Sequence, residues 1–151
     1  MTQPTLETRW LMTLRGTIPQ PVVISPSLMI FNVLDAQVES PRLNAKVLPP
    51  SGDWVQVQDN GNWKLDVRLL LEADDGAPIY THYNGVLRMD AALGARIAAG
   101  EEIPGDQLYF RSAPYFQTPS AKYAWLNGIL AIGKMRSFGG GKVVYDVFEV
   151  L

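Results

Sequence analysis

The sequence predicts an all-β fold over residues 1–151, a single antiparallel β-barrel of about eight strands with one short helix. Three observations predict it. Apolar residues alternate with polar ones along much of the chain, which is typical of strands with one face in a core. Prolines and glycines separate these segments at short intervals. One segment alone has the composition of a helix. Strands in this number pack as a sandwich or close into a barrel, and we favour the barrel.

The alternation is clearest in two segments, Leu6 to Leu14 and Trp63 to Leu71. The helix candidate begins at Asp90, a residue type that caps helix N-termini, and ends before Gly100, a typical C-terminal stop. Further strand candidates are residues 22–33, 43–48, 54–58, 78–87, 108–116, 123–135 and 143–151.

The composition excludes several kinds of chemistry. The chain has no cysteine and one histidine, so we expect no thiol nucleophile, no disulfide, no zinc-thiolate site and no metal site built from several histidines. A net charge of −2, with scattered Lys and Arg, gives no basic surface for nucleic acid. The chain shows neither a signal-peptide pattern nor the roughly 18 to 20 apolar residues of a membrane span. We therefore expect a cytoplasmic protein without a membrane or nucleic-acid partner.

Two glycine turns set the register predicted for the three central strands. Asn60-Gly61 is typical of a two-residue type I′ hairpin, because both residues tolerate positive φ. Asp75-Gly76 is interpreted as the tip of the next hairpin. A third residue in either loop would shift the register by one and turn the side chains to opposite faces.

The predicted register gathers polar side chains on one face of the sheet. It places Asp53 opposite Arg68, Arg68 opposite Tyr83, and Asp66 on the same face, with His82 on the other. An arginine between carboxylates stabilises negative charge that develops on a substrate, and two carboxylates in a poorly hydrated cavity act as an acid and a base. Tyr83 is expected either to donate a proton or to bind an oxyanion. The alternative is an internal ion pair that fixes the register.

Side chains on the following strands are expected to hold a ligand. Phe110 and Phe116 are expected to hold the ligand, together with Trp54 and Trp125. Arg111 is either a second cation for a ligand carboxylate or an exposed charge on an edge strand. Trp125 and Asn127 share a face of the next predicted strand. The Asn127 amide either bonds a ligand or satisfies the backbone at a bulge.

Short motifs run in order through most of the chain. They are Pro41-Arg42-Leu43, Leu48-Pro49, Gly52-Asp53-Trp54, Leu65-Asp66-Val67-Arg68, Asp75-Gly76-Ala77-Pro78-Ile79-Tyr80, Gly85, Tyr109-Phe110-Arg111-Ser112-Ala113-Pro114-Tyr115-Phe116 and Tyr123-Ala124-Trp125-Leu126-Asn127. With these motifs the chain resembles the domain of unknown function 3237 family of small bacterial and fungal proteins. The resemblance implies an eight-stranded antiparallel barrel of calycin-like shape with an internal pocket. The pocket residues it implies are Asp53, Trp54, Asp66, Arg68, Arg111, Trp125 and Asn127.

These observations lead us to expect a barrel that binds a small, hydrophobic or oxygenated molecule. We expect acid–base catalysis without metal or cofactor, by an isomerase, cyclase, hydratase or epoxide or lactone hydrolase. Arg68 would stabilise negative charge, Asp53 or Asp66 would move a proton, and Tyr83 would donate one. The alternatives are a non-catalytic ligand-binding or carrier barrel and a structural subunit. A homodimer is a further expectation.

Overall fold

The computed structural model describes residues 2–151, which form twelve strands, one α-helix and two 3₁₀ turns. The helix is α1 (Ala91–Ala98), and the 3₁₀ turns are Gly105–Gln107 and Ala124–Gly128. The strands are β1 (Thr8–Thr17), β2 (Val22–Ser25), β3 (Leu28–Asn32), β4 (Ala36–Glu39), β5 (Ala45–Val57), β6 (Trp63–Ala73), β7 (Pro78–Leu87), β8 (Ile103–Pro104), β9 (Phe110–Ser112), β10 (Tyr115–Gln117), β11 (Ala131–Gly139) and β12 (Lys142–Val150).

Eight of these strands close into an antiparallel barrel. The ring runs β1-β4-β5-β6-β7-β9-β11-β12 and returns to β1. The other four strands extend it: β3 pairs with β5 and carries β2, β10 pairs with β7, and β8 pairs with β11. The prediction of an all-β antiparallel barrel with one short helix is confirmed.

Alternate side chains of the ring strands fill the barrel. On β6 the inward residues Leu65, Val67, Leu69 and Leu71 are all buried, whereas Arg68 between them is exposed. Burying such an apolar side chain contributes about 1.5–3 kcal/mol, so the period-two pattern read from the sequence is also what stabilises the closed sheet.

Strand β5 is longer than predicted and bends in the middle. Residues 43–48 and 54–58 were expected to be separate strands, but one strand covers both with a register shift between Leu48 and Gly52. Its first part pairs with β4 and its second part with β3. At the end of β1, Thr17 N–H donates to the carbonyl of Asp35, which precedes β4 (3.0 Å), and residues from the ends of β1 and β3 line one cavity.

Three predicted strands are interrupted in the structure. Residues 108–116 form β9 and β10 with a break at Pro114, whose missing N–H cannot continue a ladder. Residues 22–33 turn between β2 and β3, and residues 123–135 begin with the 3₁₀ turn. In that turn Tyr123 and Leu126 are both buried, and a spacing of three fits 3₁₀ geometry rather than a strand.

Helix α1 has the ends that the sequence predicts. The Asp90 side chain accepts a hydrogen bond from Leu93 N–H at 2.7 Å, and Gly100 follows with φ of 83°. Within residues 2–151, no helix has the length and apolar character needed to cross a lipid bilayer.

Candidate functional site

The first of the two central turns has three residues in its loop rather than two. Gln58 N–H donates to the Asn62 carbonyl and Gly61 N–H to the Gln58 carbonyl, both at 2.8 Å. Gly61 has φ of 89°, and within residues 2–151 no residue other than glycine has positive φ, so Asn60 does not form a type I′ turn. A type I turn followed by a glycine in the left-handed conformation forms a hairpin loop of three residues.

The second central turn has the same form. Ala73 N–H donates to the Ala77 carbonyl (2.9 Å) and Gly76 N–H donates to the Ala73 carbonyl (2.8 Å). Gly76 has φ of 84°, and the Asp75 carboxylate accepts from Ala77 N–H at 3.0 Å. The register predicted for both hairpins is therefore wrong by one residue.

This shift divides the predicted polar cluster between the two sides of the barrel wall. Asp53 pairs with Val67, and Val67 with Tyr83, on the inner face. Arg68 instead pairs with His82 on the outer face, which also carries Asp66. The prediction that the four proposed catalytic residues share one face is wrong, because side chains alternate with a period of two.

The inner residues face a cavity of about 100 Å³ between the ends of β1 and β3. Asp53, Tyr83 and Tyr145 are among its polar lining residues, and within residues 2–151 no Lys, Arg or His lines it. Its aromatic lining residues are Phe31, Trp63, Tyr83, Phe110, Phe138 and Tyr145. Its mostly apolar lining with few polar groups is typical of a small-molecule site, and its volume is smaller than the about 300–1,000 Å³ of most such sites.

Asp53 is the acidic group of this cavity. Its Oδ1 is buried and has no hydrogen-bond partner among residues 2–151. Burial raises the pKa of the Asp53 carboxyl from 3.8 to about 7; a hydrogen bond from the Asp66 backbone opposes this rise, and the Asp66 charge adds to it. Near neutral pH the group is therefore present in both its acidic and its basic form.

Two phenols lie beside this carboxyl group. The hydroxyls of Tyr83 and Tyr145 are 2.6 Å apart, and both side chains are buried. Burial is the largest cause that raises the pKa of Tyr83 and of Tyr145 well above the usual tyrosine value, and the charge of Asp53 adds to both shifts. Both phenols therefore stay protonated and act as hydrogen-bond donors and acceptors.

Asp66 and His82 form a separate cluster on the outer wall. His82 Nε2 lies 2.8 Å from Asp66 Oδ1, and His82 Nδ1 lies 3.0 Å from the Tyr115 hydroxyl. Trp54, 41% exposed, and the exposed Arg68 are on the same outer face. None of these five residues lines the cavity.

The remaining predicted ligand-binding residues have different environments. Phe110 lines the cavity, and Phe116 is buried in the core away from it. The Arg111 guanidinium lies 4.8 Å from the centre of the Tyr109 ring, on the outside, and donates to the Phe110 carbonyl at 2.7 Å.

Trp125 and Asn127 lie in the 3₁₀ turn Ala124–Gly128, and both contact other segments of the chain. The Arg42 guanidinium lies 3.5 Å from the centre of the Trp125 ring. The Asn127 side chain accepts from Thr118 N–H (2.8 Å) and donates to the Thr118 carbonyl (2.9 Å). Asn127 thus satisfies backbone groups, which was the alternative left open by the sequence.

Tyr145 is the polar cavity residue that the sequence reasoning missed. It alternates with Val143 and Val147 on β12, so the period-two pattern could have placed it inside the barrel. Within residues 2–151, no three His, Cys, Asp or Glu side chains form a group suited to a metal ion. The absence of a metal or cofactor in the working protein stays a prediction.

Fold and cavity define a class: small antiparallel β-barrels with an apolar interior and a buried carboxyl group beside two phenols. The chain belongs to the family described as Protein of unknown function (DUF3237), whose model matches residues 4–150. A UPF0311 protein of Rhodopseudomonas palustris (strain TIE-1) is 30% identical over 152 residues, covering 98% of this chain and 99% of that protein. A UPF0311 protein of Clostridium acetobutylicum is 30% identical over 115 residues, covering 73% of each chain.

Solved structures have the same fold. A conserved protein of unknown function from Rhodopseudomonas palustris has a TM-score of 0.90 at 29% identity and covers 99% of this chain and 100% of its own. A β-barrel-like protein from Acinetobacter baumannii has a TM-score of 0.76 at 27% identity and covers 99% of both chains. A protein from Penicillium herquei described as an enzyme has a TM-score of 0.68 at 18% identity, covering 100% of this chain and 99% of its own. At that identity the likeness concerns the fold alone.

Proposed function

We propose that the protein binds an uncharged, hydrophobic and oxygenated small molecule in the barrel cavity and that Asp53 transfers a proton to and from it. The observation that carries this proposal is the position of Asp53, with a buried oxygen that has no partner among residues 2–151, beside the cavity. A buried polar atom costs free energy unless it is paired, and a ligand supplies the missing partner.

The cavity wall favours an uncharged ligand. No cation among the described residues lines the wall, so a carboxylate or phosphate would lose its hydration without gaining a counter-charge. Ionised Asp53 would also repel it. The aromatic rings suit a flat or cyclic apolar ligand, and a neutral Asp53 donates a hydrogen bond to its oxygen.

In the proposed reaction the Asp53 carboxyl group acts first as an acid and then as a base. A pKa near 7 lets Asp53 give its proton to the ligand and then, as a carboxylate, take a proton from another ligand atom. The ligand gains one proton and loses one, so the product is an isomer or a cyclised form of the same mass. Between the two transfers the ligand is positively charged, and the Tyr83 hydroxyl oxygen accepts a hydrogen bond from the protonated ligand. Because Asp66 is outside, the structure favours this scheme over an acid and a base on two aspartates.

The similarity to the Penicillium herquei enzyme supports a catalytic role only through the shared barrel. A non-catalytic carrier is the second candidate, and the apolar character of most of the wall favours it, since such a wall holds a ligand without acting on it.

Binding is tested with the neutral fluorophore N-phenyl-1-naphthylamine. We expect fluorescence enhancement with the wild type and its loss in Val143→Trp, because Val143 lines the cavity. Val144→Trp is the matched control, since the neighbouring residue faces the other side of β12 and should leave binding intact. Equal binding by both variants would place the probe outside the cavity and overturn the assignment.

Catalysis is tested by incubating a lipophilic extract of the source organism with the protein in D₂O and following its components by mass spectrometry. The wild type should convert one component into an isomer that carries deuterium, and Asp53→Asn should bind the fluorophore but convert nothing. Equal conversion by wild type and Asp53→Asn would refute the role of Asp53. Fluorophore binding without conversion by the wild type would support the carrier.

A further inference from the structure

Residues 16–34 contain no charged side chain, although Lys, Arg, Asp and Glu make up 19% of the chain. No other uncharged stretch of the sequence is as long. This neutral segment runs from the end of β1 through the β2–β3 hairpin to the start of β4. Residues 16–19 and 31–33 of the segment line the cavity, but no residue of β2 does. The apolar cavity therefore does not account for the absence of charge on β2.

Strand β2 lies at the edge of the sheet and is exposed. One of its edges pairs with β3, and no strand among residues 2–151 pairs with the other. Val22, Val23 and Ile24 are 52%, 65% and 57% exposed. Natural proteins protect a free edge strand with charges, a bulge or a covering segment. β2 has proline on both sides and a bulge, but no charge.

An apolar row continues from this edge across the outer surface. Val22 pairs with Ile30, and Ile30 pairs with Trp54 on β5. Side chains at paired positions point to the same face, so the three lie side by side. The exposed edge and this row form one surface, which we call the β2 surface: Val22, Val23, Ile24, Ile30 and Trp54.

We propose that the β2 surface binds a second copy of this chain, with β2 of each protomer pairing antiparallel across a twofold axis. In a twofold contact the same surface is present on both sides. A charge near the centre of the contact would therefore lie close to the identical charge of the second copy. An uncharged, apolar edge strand is therefore self-complementary. Charge depletion is also what distinguishes the centre of protein interfaces.

The size of the surface sets the strength of the contact. Strand β2 has 4 residues, and pairing it with its copy buries less than the roughly 1,200 Å² of a standard stable interface. We therefore expect a dimer whose population rises with protein concentration. The contact is separate from Asp53 and the ligand scheme, so either proposal can fail without the other.

The test is sedimentation velocity of the full chain over a range of concentration up to its solubility limit. The wild type should move from the 16.7 kDa monomer towards twice that mass, and Val23→Lys, which brings like charges together at the contact, should stay monomeric. Val23→Thr, uncharged and still β-branched, should dimerise.

A second control places lysine at another exposed apolar residue. Leu130 is 72% exposed and precedes β11, so Leu130→Lys should dimerise like the wild type. Far-ultraviolet circular dichroism checks that each variant is folded. A wild type that stays at 16.7 kDa at every concentration, or a folded Val23→Lys that dimerises like the wild type, would overturn the proposal.

Discussion

The hydroxyl groups of Tyr83 and Tyr145 lie 2.6 Å apart inside the barrel, on strands β7 and β12 that are not neighbours in the ring. Each phenol has one proton to donate, so one hydroxyl donates to the other and the second proton is free for another acceptor. The pair borders the cavity that Asp53 also lines. It therefore joins two parts of the barrel wall and offers one hydrogen-bond donor to a ligand.

Tyr145→Phe should destabilise the fold. The change removes the partner of a buried hydroxyl, Tyr83, which costs about 1–3 kcal/mol of the free energy of unfolding measured in urea. Tyr83→Phe and the double variant complete the cycle, and the double variant should cost less than the sum of the single variants because no hydroxyl is left unpaired. Additive costs would show that the two phenols are not coupled.

Asp53→Asn should change the dependence of stability on pH. Burial raises the pKa of folded Asp53 from 3.8 to about 7, so between these pH values the folded protein binds a proton that the unfolded chain has released. The stabilisation is complete below about pH 4 and decreases as pH rises through 7, by at most about 1.4 kcal/mol per pH unit. Asparagine does not titrate and removes this term. Urea unfolding of both proteins at several pH values measures the difference, and parallel curves would contradict the raised pKa.

Asp66→Asn and Arg68→Met should leave binding of N-phenyl-1-naphthylamine intact. Both side chains are on the outer wall, and neither lines the cavity. Because the Asp66 charge helps to raise the pKa of Asp53, Asp66→Asn should move the Asp53 titration to lower pH. The loss of its partly exposed contact with His82 should cost no more than about 1 kcal/mol. Abolished binding in a folded Arg68→Met would place the ligand on the outer wall instead.

Gly76→Ala and Gly94→Ala should have opposite effects on stability. Gly76 has φ of 84° in the β6–β7 turn, where alanine is strained, and the change should destabilise by about 1 kcal/mol. Gly94 lies within α1, and a Cβ there has no atom within 4 Å, so alanine should stabilise the helix by about 1 kcal/mol. Thermal unfolding of both variants measures the two shifts, and a stabilising Gly76→Ala would contradict the left-handed turn.

Features set by neighbouring residues were predictable from the sequence. The alternation along β6 is visible in the sequence of that strand alone. The ends of α1 at Asp90 and Gly100 depend on residues a few positions away. The same local patterns led to the barrel class, because several half-buried strands in one chain require another sheet layer or closure.

The site was only partly predictable. Asp53, Tyr83 and Phe110 line the cavity as expected, but the predicted contact of Asp53 with Arg68 does not form. One added loop residue in each turn moved Arg68 and Asp66 to the outer wall, since a shift by one reverses every side chain of a strand. The residues Asn60-Gly61 and Asp75-Gly76 are compatible with loops of two or three residues. Packing of the apolar side chains on the inner face favours the three-residue form.

The sequence by itself determined the alternating strands, the short helix and an interior with little charge. Only the tertiary structure decided which polar groups enter that interior. Tyr145 meets Tyr83 across 62 positions of sequence because the barrel closes, and Asp53 faces the cavity because the turns set its register. Side chains alternate between the two faces of each strand, so a shift of one residue exchanges the inner and outer positions. The pairing of strands that are distant in sequence therefore decides which polar side chains point inward.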